Sequence, residues 1–133
     1  MSEAERVKKK IEVPDSEDWN RQMYKVRLFD NLIYNVDRNL YNVLITKDYQ
    51  IRLIDHSRAF RLVNTPRTPK DLTRFSKSLL ERLQKLEKAD LTTRVGKHLS
   101  QYQISALLQR RDAIVALAAA LVAQQGEAAV LYP

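Results

Sequence analysis

Cysteine is absent from the 133 residues, which excludes a disulfide framework, thiolate zinc sites and cysteine catalysis together and makes cytoplasmic residence the default expectation. Glycine occurs twice and proline four times. With so few punctuating residues there is no Gly/Ser-rich linker, and no repeat or low-complexity tract appears either, so no domain boundary is expected beyond residue 14. Long apolar runs are also missing. The most apolar stretch, Ala113 to Ala123, holds 11 residues, against roughly 20 for a bilayer span. The opening MSEAERVKKKIEVPDSED is charged throughout and lacks the apolar segment of a secretory signal. A membrane partner is therefore not expected.

What is present suits one folded unit. Hydrophobic residues make up 44% and charged residues 29%, near the averages of globular domains. Residues 1–14 read as a flexible N-terminal arm and residues 15–133 as a single domain. From Asp15 onward Trp19, Met23, Val26, Phe29 and Ile33 recur at spacings of 4, 3, 3 and 4, which predicts a helix over 16–34 with this stripe in the core. Two runs rich in Val, Ile and Leu, Asn42–Thr46 and Ile51–Asp55, predict a small hairpin. Residues 56–69 break both periods and read as a loop. Thr68, Pro69 and Asp71 then form a helix-start signal, followed by an apolar face of Leu72, Phe75, Leu79, Leu83 and Leu86. A short helix is expected over 91–99 with Asp90 as its cap. Ser100 and Gln103 form a capping box for a last helix running to Gln125, which Gly126 ends. The expected fold class is mainly α with a small β-hairpin.

The segment that carries chemistry is LIYNVDRNLYNVLITKDYQIRLIDHSRAF, residues 32–60. Asp37 lies on the loop after the first long helix, Asn42 at the entrance to the hairpin and Asp55 at its exit. The hairpin should fold these three toward one another. Phosphoryl transfer uses such a set: an aspartate to orient or accept the proton of an attacking hydroxyl, and an Asn/Asp oxygen pair to hold magnesium on nucleotide phosphates. His56 in this segment reads as a hydrogen-bonding loop residue rather than a metal ligand.

The run DRNLYN, followed 13 residues after its Asn42 by the Asp55 of LID, resembles the catalytic loop and metal-binding motif of the protein-kinase-like superfamily. Its atypical branches, the phosphoinositide kinases, HipA-type kinases and secretory-pathway kinases, are the nearer likeness. The chain is also similar to a bacterial kinase-like family with the pattern DNLIYN, DRN-x-x-N and IDH-S/T-RAFR. The resemblance implies a kinase-like C-terminal lobe using Mg2+ and ATP. It gives Asp37 the catalytic-base position, Asn42 and Asp55 the metal-ligand positions, and residues 56–69 the place of the activation segment. The sequence departs from conventional kinases at His56 and Ser57, which replace Phe-Gly, and at Asn39, where many carry lysine. Only 36 residues precede Asp37, and no Gly-rich loop or lysine-bearing strand stands among them. A C-terminal lobe alone is expected, with transfer only when an N-terminal lobe is supplied.

The formal charge is +7, and its excess is concentrated: residues 56–77 hold six basic residues against one acidic. Arg58, Arg61, Arg67, Lys70, Arg74 and Lys77 offer charge-assisted hydrogen bonds to a phosphate or an acidic substrate, or form a solvated face. Two alternatives to catalysis follow from the residues. One is a protein-interaction module that docks a partner or a second copy of the chain on an uncovered apolar face. The other is a small basic nucleic-acid binder, disfavoured because no helix-turn-helix signature or aromatic stacking platform accompanies the arginines.

Overall fold

In the computed structural model, which describes residues 1–56 and 58–133, the chain enters through a short helix, Glu3–Lys8 (α1), capped by the Ser2 side chain. Within the segment read as an arm, residues 3–8 are helical. Its anchors are non-local, which is why composition did not reveal them. The Ile45 N–H donates to the Met1 carbonyl, Ser2 bridges to Leu44, and the Arg6 guanidinium lies 5.1 Å from the Trp19 ring centroid. Glu3, hydrogen-bonded to Arg6, holds that guanidinium's pKa above its ordinary value.

Asp15 caps the next helix, Ser16–Leu32 (α2), by accepting the Asp18 N–H. The helix is close to the one expected, but its buried set is wider than the predicted stripe. Leu28 and Leu32 face the main core, while Phe29, expected inside, is 36% exposed. The main packing of α2 is on the long C-terminal helix and on residues 75–76, and its link to a thin hairpin runs through Gln22. That hairpin joins Val43–Ile45 (β1) to Ile51–Leu53 (β2), antiparallel with Leu44 opposite Arg52. Both strands are shorter than predicted: Asn42 belongs to a 3-10 turn, Leu40–Asn42, capped by Asn39, and β2 ends before Asp55, whose φ of +60° is not strand backbone. Tyr49 closes the turn with a φ of +58°, a conformation usually left to glycine. Gln22 fastens the hairpin to α2, donating to the Tyr49 carbonyl at 3.0 Å and accepting the Ile51 N–H at 2.8 Å.

The helix predicted to start at Thr68 does not start there. Pro69–Asp71 is a single 3-10 turn, and the Thr68 hydroxyl donates to Asn31 instead of capping it. Phe75–Ser76 (β3) then pairs in parallel with Leu131–Tyr132 (β4), a contact between segments far apart in sequence. Only after it does a helix form, Lys77–Gln84 (α3), capped by Ser76. The following helix is Lys88–Val95 (α4), earlier than expected, with Glu87 at its cap and Asp90 in its first turn. The 25-residue helix Gln101–Gln125 (α5) has the expected Ser100/Gln103 capping box, and Gly126 ends it with a φ of +88°. A last turn, Glu127–Val130 (α6), leads into β4. Leu28, Leu32, Leu72, Phe75, Leu83, Leu107, Ile114 and Val130 form the main core, joining α2, α3, α5 and the terminal turn. The fold is mainly α with a small antiparallel hairpin. No helix among the described residues is long and apolar enough to cross a membrane.

Candidate functional site

The loop that leaves α2 is shaped by side chains standing in for backbone. The buried Asn35 accepts the Asp37 N–H on its carboxamide oxygen at 3.1 Å, an Asx turn that fixes the direction of the chain at Asp37. Arg38 forks onto Asp30, Nε to Oδ2 at 2.9 Å and Nη2 to Oδ1 at 2.8 Å, and both side chains are only 13% exposed. Such bidentate pairs combine charge with fixed geometry. The remaining Arg38 nitrogen, Nη1, reaches the carbonyls of Asn42 at 3.4 Å and Ile54 at 3.2 Å. Between those two residues the Ile54 N–H donates to the Asn42 carbonyl at 3.1 Å. Arg38 therefore ties α2 to both ends of the hairpin.

The main chains at Asn42 and Ile54 thus meet, and Asp37 immediately precedes the Arg38 that bridges them. Asn42 is held through its main chain at the entrance, and Asp55 follows Ile54 at the exit. Asp55 has a φ of +60°, left-handed for a residue with a side chain, which aspartate adopts more readily than most. On the Asp37 side, the neighbouring Val36 N–H donates to the Arg58 carbonyl at 3.2 Å and the Phe60 N–H to the Ile33 carbonyl at 2.6 Å. His56 packs edge-on against Phe29, with ring centroids 5.4 Å apart. Ser57, noted in the sequence beside it, lies outside the described residues.

Asp37 also borders a cleft of about 370 Å³ between α2, its following loop and the turn at Thr68. Asn42 and Asp55 do not line it. Of the basic residues expected to act together, only Arg67 does. Lys70 lies on another groove with Leu117 and Leu121. Arg74 is committed elsewhere, stacked 5.6 Å from the Tyr132 ring centroid and donating to the Leu131 carbonyl. Arg58 and Arg61 are exposed side chains whose carbonyls receive Val36 and Arg110. Lys77 pairs with Glu127 at 3.5 Å on the surface. The charge concentrated in the sequence is thus dispersed in space.

Three residues that hold this region were not singled out. Asp30 and Asn31 fall within DNLIYN, where only the resemblance drew notice. The third, Arg110, is wholly buried and donates to the carbonyls of Leu32 (2.8 Å), Arg61 (2.7 Å) and Val63 (2.8 Å). Burial lowers its pKa below the ordinary arginine value, partly offset by Tyr34, whose ring centroid is 5.8 Å away. A periodic signal was available, since Leu107, Arg110 and Ile114 lie at spacings of 3 and 4 on one helix face.

Among the described residues no group of three or more His, Cys, Asp or Glu is placed to hold a metal ion. No protein-family model, curated protein or solved structure matches this chain.

Proposed function

We propose that this chain is the catalytic lobe of an atypical kinase-like phosphotransferase, acting with Mg-ATP when a nucleotide-clamping lobe is supplied. The observation that carries the reading is the Arg38 bridge, which holds the entrance and exit of the hairpin together. It supports the reading because Arg38 follows Asp37 directly and bonds to the carbonyls of Asn42 and of Ile54, the residue before Asp55. In this reading Asp37 orients the attacking hydroxyl and accepts its proton, and Asn42 and Asp55 supply oxygen ligands. Two protein oxygens suit magnesium, which retains waters and takes phosphate oxygens for the rest of its octahedron. Bound Mg-ATP supplies the phosphoryl group and neutralises the charge that develops on transfer. Arg110 and Asn31 act indirectly, fixing the segment after Asp55 against α2 and α5. Calorimetry should detect magnesium-dependent ATP binding that Asp55→Ala abolishes. Absence of such binding, both in this chain and in the chain joined to a clamping lobe, overturns the reading.

A non-catalytic interaction module on the same scaffold is the second reading. Its support is the run of exposed apolar side chains beside the hairpin: Leu40 at 43%, Tyr41 at 69% and Ile54 at 43% exposure. Size exclusion with light scattering tests it for self-association. A dimer lost on Tyr41→Ser and Ile54→Ser supports it, whereas a monomer at all concentrations removes the second copy as partner.

A further inference from the structure

We infer that the cleft beside Asp37 is a binding site for a small hydroxyl-bearing anion, a phosphate monoester in chemical class, gripped by Arg27 and Arg67. The argument starts from which lining groups are already committed. Asp30 and Arg38 neutralise each other. Asn35 is engaged by Asp37 and Asp30. Asn31, 2% exposed, gives its amide nitrogen to the Arg27 carbonyl and its oxygen to both the N–H and the hydroxyl of Thr68. This last pair of bonds locks the turn carrying Arg67 onto the helix carrying Arg27.

The lining charges left over are the guanidiniums of Arg27 and Arg67 and the carboxylates of Asp37 and Asp71. Neither arginine is in an ion pair among the described residues, and Arg27 is steadied over the Tyr24 ring at 5.6 Å. Two guanidiniums on one cleft match a phosphate or similar oxyanion, since each presents a planar donor fork. Carboxylates beside them need hydrogen-bond donors, which hydroxyls supply. The apolar lining is aliphatic, Met23, Val26 and Val36, with no aromatic ring, so neither base stacking nor a quaternary-ammonium cage is available. A volume of about 370 Å³ is at the small-molecule scale. That this ligand is the phosphoryl acceptor rests on the kinase-like reading; that it binds does not.

The test titrates the whole chain with sn-glycerol 3-phosphate, without magnesium or nucleotide, alongside glycerol and inorganic phosphate. Glycerol 3-phosphate should bind more tightly than either fragment. Arg27→Gln and Arg67→Gln should each weaken it about tenfold, the loss expected for one charge-assisted contact. Arg94→Gln, the same charge change on exposed α4, should leave it unchanged. No binding at millimolar concentration, equal loss in Arg94→Gln, or no loss in either cleft variant overturns the site. Inorganic phosphate binding as tightly as glycerol 3-phosphate overturns the hydroxyl requirement. Failure of magnesium-dependent ATP binding with these results intact would remove the acceptor role and leave the site standing.

Discussion

A guanidinium enclosed without a carboxylate is expensive unless its donors are met, and Arg110 offsets much of that cost through Nε and Nη1, which donate to carbonyls, while Nη2 is buried without a partner among the described residues. One of those carbonyls, on Leu32, is at the C-terminal end of α2, where the helix dipole places negative potential. The other two, on Arg61 and Val63, belong to an otherwise exposed stretch of chain. The residue therefore acts as a clamp on the segment after Asp55, and its value lies in a planar fork that spans separate acceptors. Arg110→Met keeps much of the volume but leaves these carbonyls without their donor, so stability should fall by about 3 kcal/mol in urea unfolding. Arg110→Lys should recover only part of that, because an ammonium lacks the fork. Full recovery by lysine would show that charge alone matters. The tandem Arg110–Arg111 reads locally as two solvent charges; the register with Leu107 and Ile114 discloses that Arg110 points inward, while Arg111 is drawn against the C-terminal end of α3 by the Leu83 and Leu86 carbonyls.

At the scale of elements, signals within a few residues of one another were legible and pairings across the chain were not. The caps of α2 and α5 lie beside the helices they start, and both helices form where the sequence places them. Thr68, Pro69 and Asp71 satisfy the same local rule, yet the helix waits until Lys77. Its delay comes from Phe75 and Ser76, which the terminal strand recruits from far along the chain. The hairpin that joins Asn42 to Ile54 through their main chains was legible because its two apolar runs lie close together in the sequence. The cleft was not, since it depends on Asn31 reaching 37 residues ahead to Thr68. Ser76, whose hydroxyl accepts the Leu79 N–H, is the working helix start. Ser76→Ala should cost about 1 kcal/mol and speed amide exchange across Lys77–Gln84. Thr68→Val should leave that exchange unchanged while loosening residues 67–71. The opposite pattern would restore Thr68 as the start of the helix.

For the whole molecule, both ends of the chain return to the fold, and the C-terminal return carries its own pH response. Tyr132 is 3% exposed; its hydroxyl donates to the Arg21 carbonyl at 3.0 Å, and the guanidiniums of Arg21 and Arg74 lie 5.7 and 5.6 Å from its ring centroid. Burial pushes its pKa above the ordinary tyrosine value of 10.0, although Arg74 and Arg21 pull the other way. In the folded chain the phenol therefore keeps its proton at a pH where the unfolded chain has begun to lose it. Below that ordinary value both states hold the proton and the stabilisation is fully present. As pH rises past it the unfolded state binds fewer protons, and stability declines until the folded phenol also ionises. The β3–β4 pairing and the stacked arginines should weaken together, because ionisation favours withdrawal of Tyr132 into water. Tyr132→Phe separates the two effects. At neutral pH it should lose about 1 kcal/mol, since the Arg21 carbonyl loses its donor. Between about pH 9 and 11 its unfolding free energy should fall less steeply than that of the parent chain, as one fewer shifted phenol contributes. Urea titrations at several pH values give both quantities, and parallel slopes for the two proteins would place the alkaline sensitivity at a group other than Tyr132.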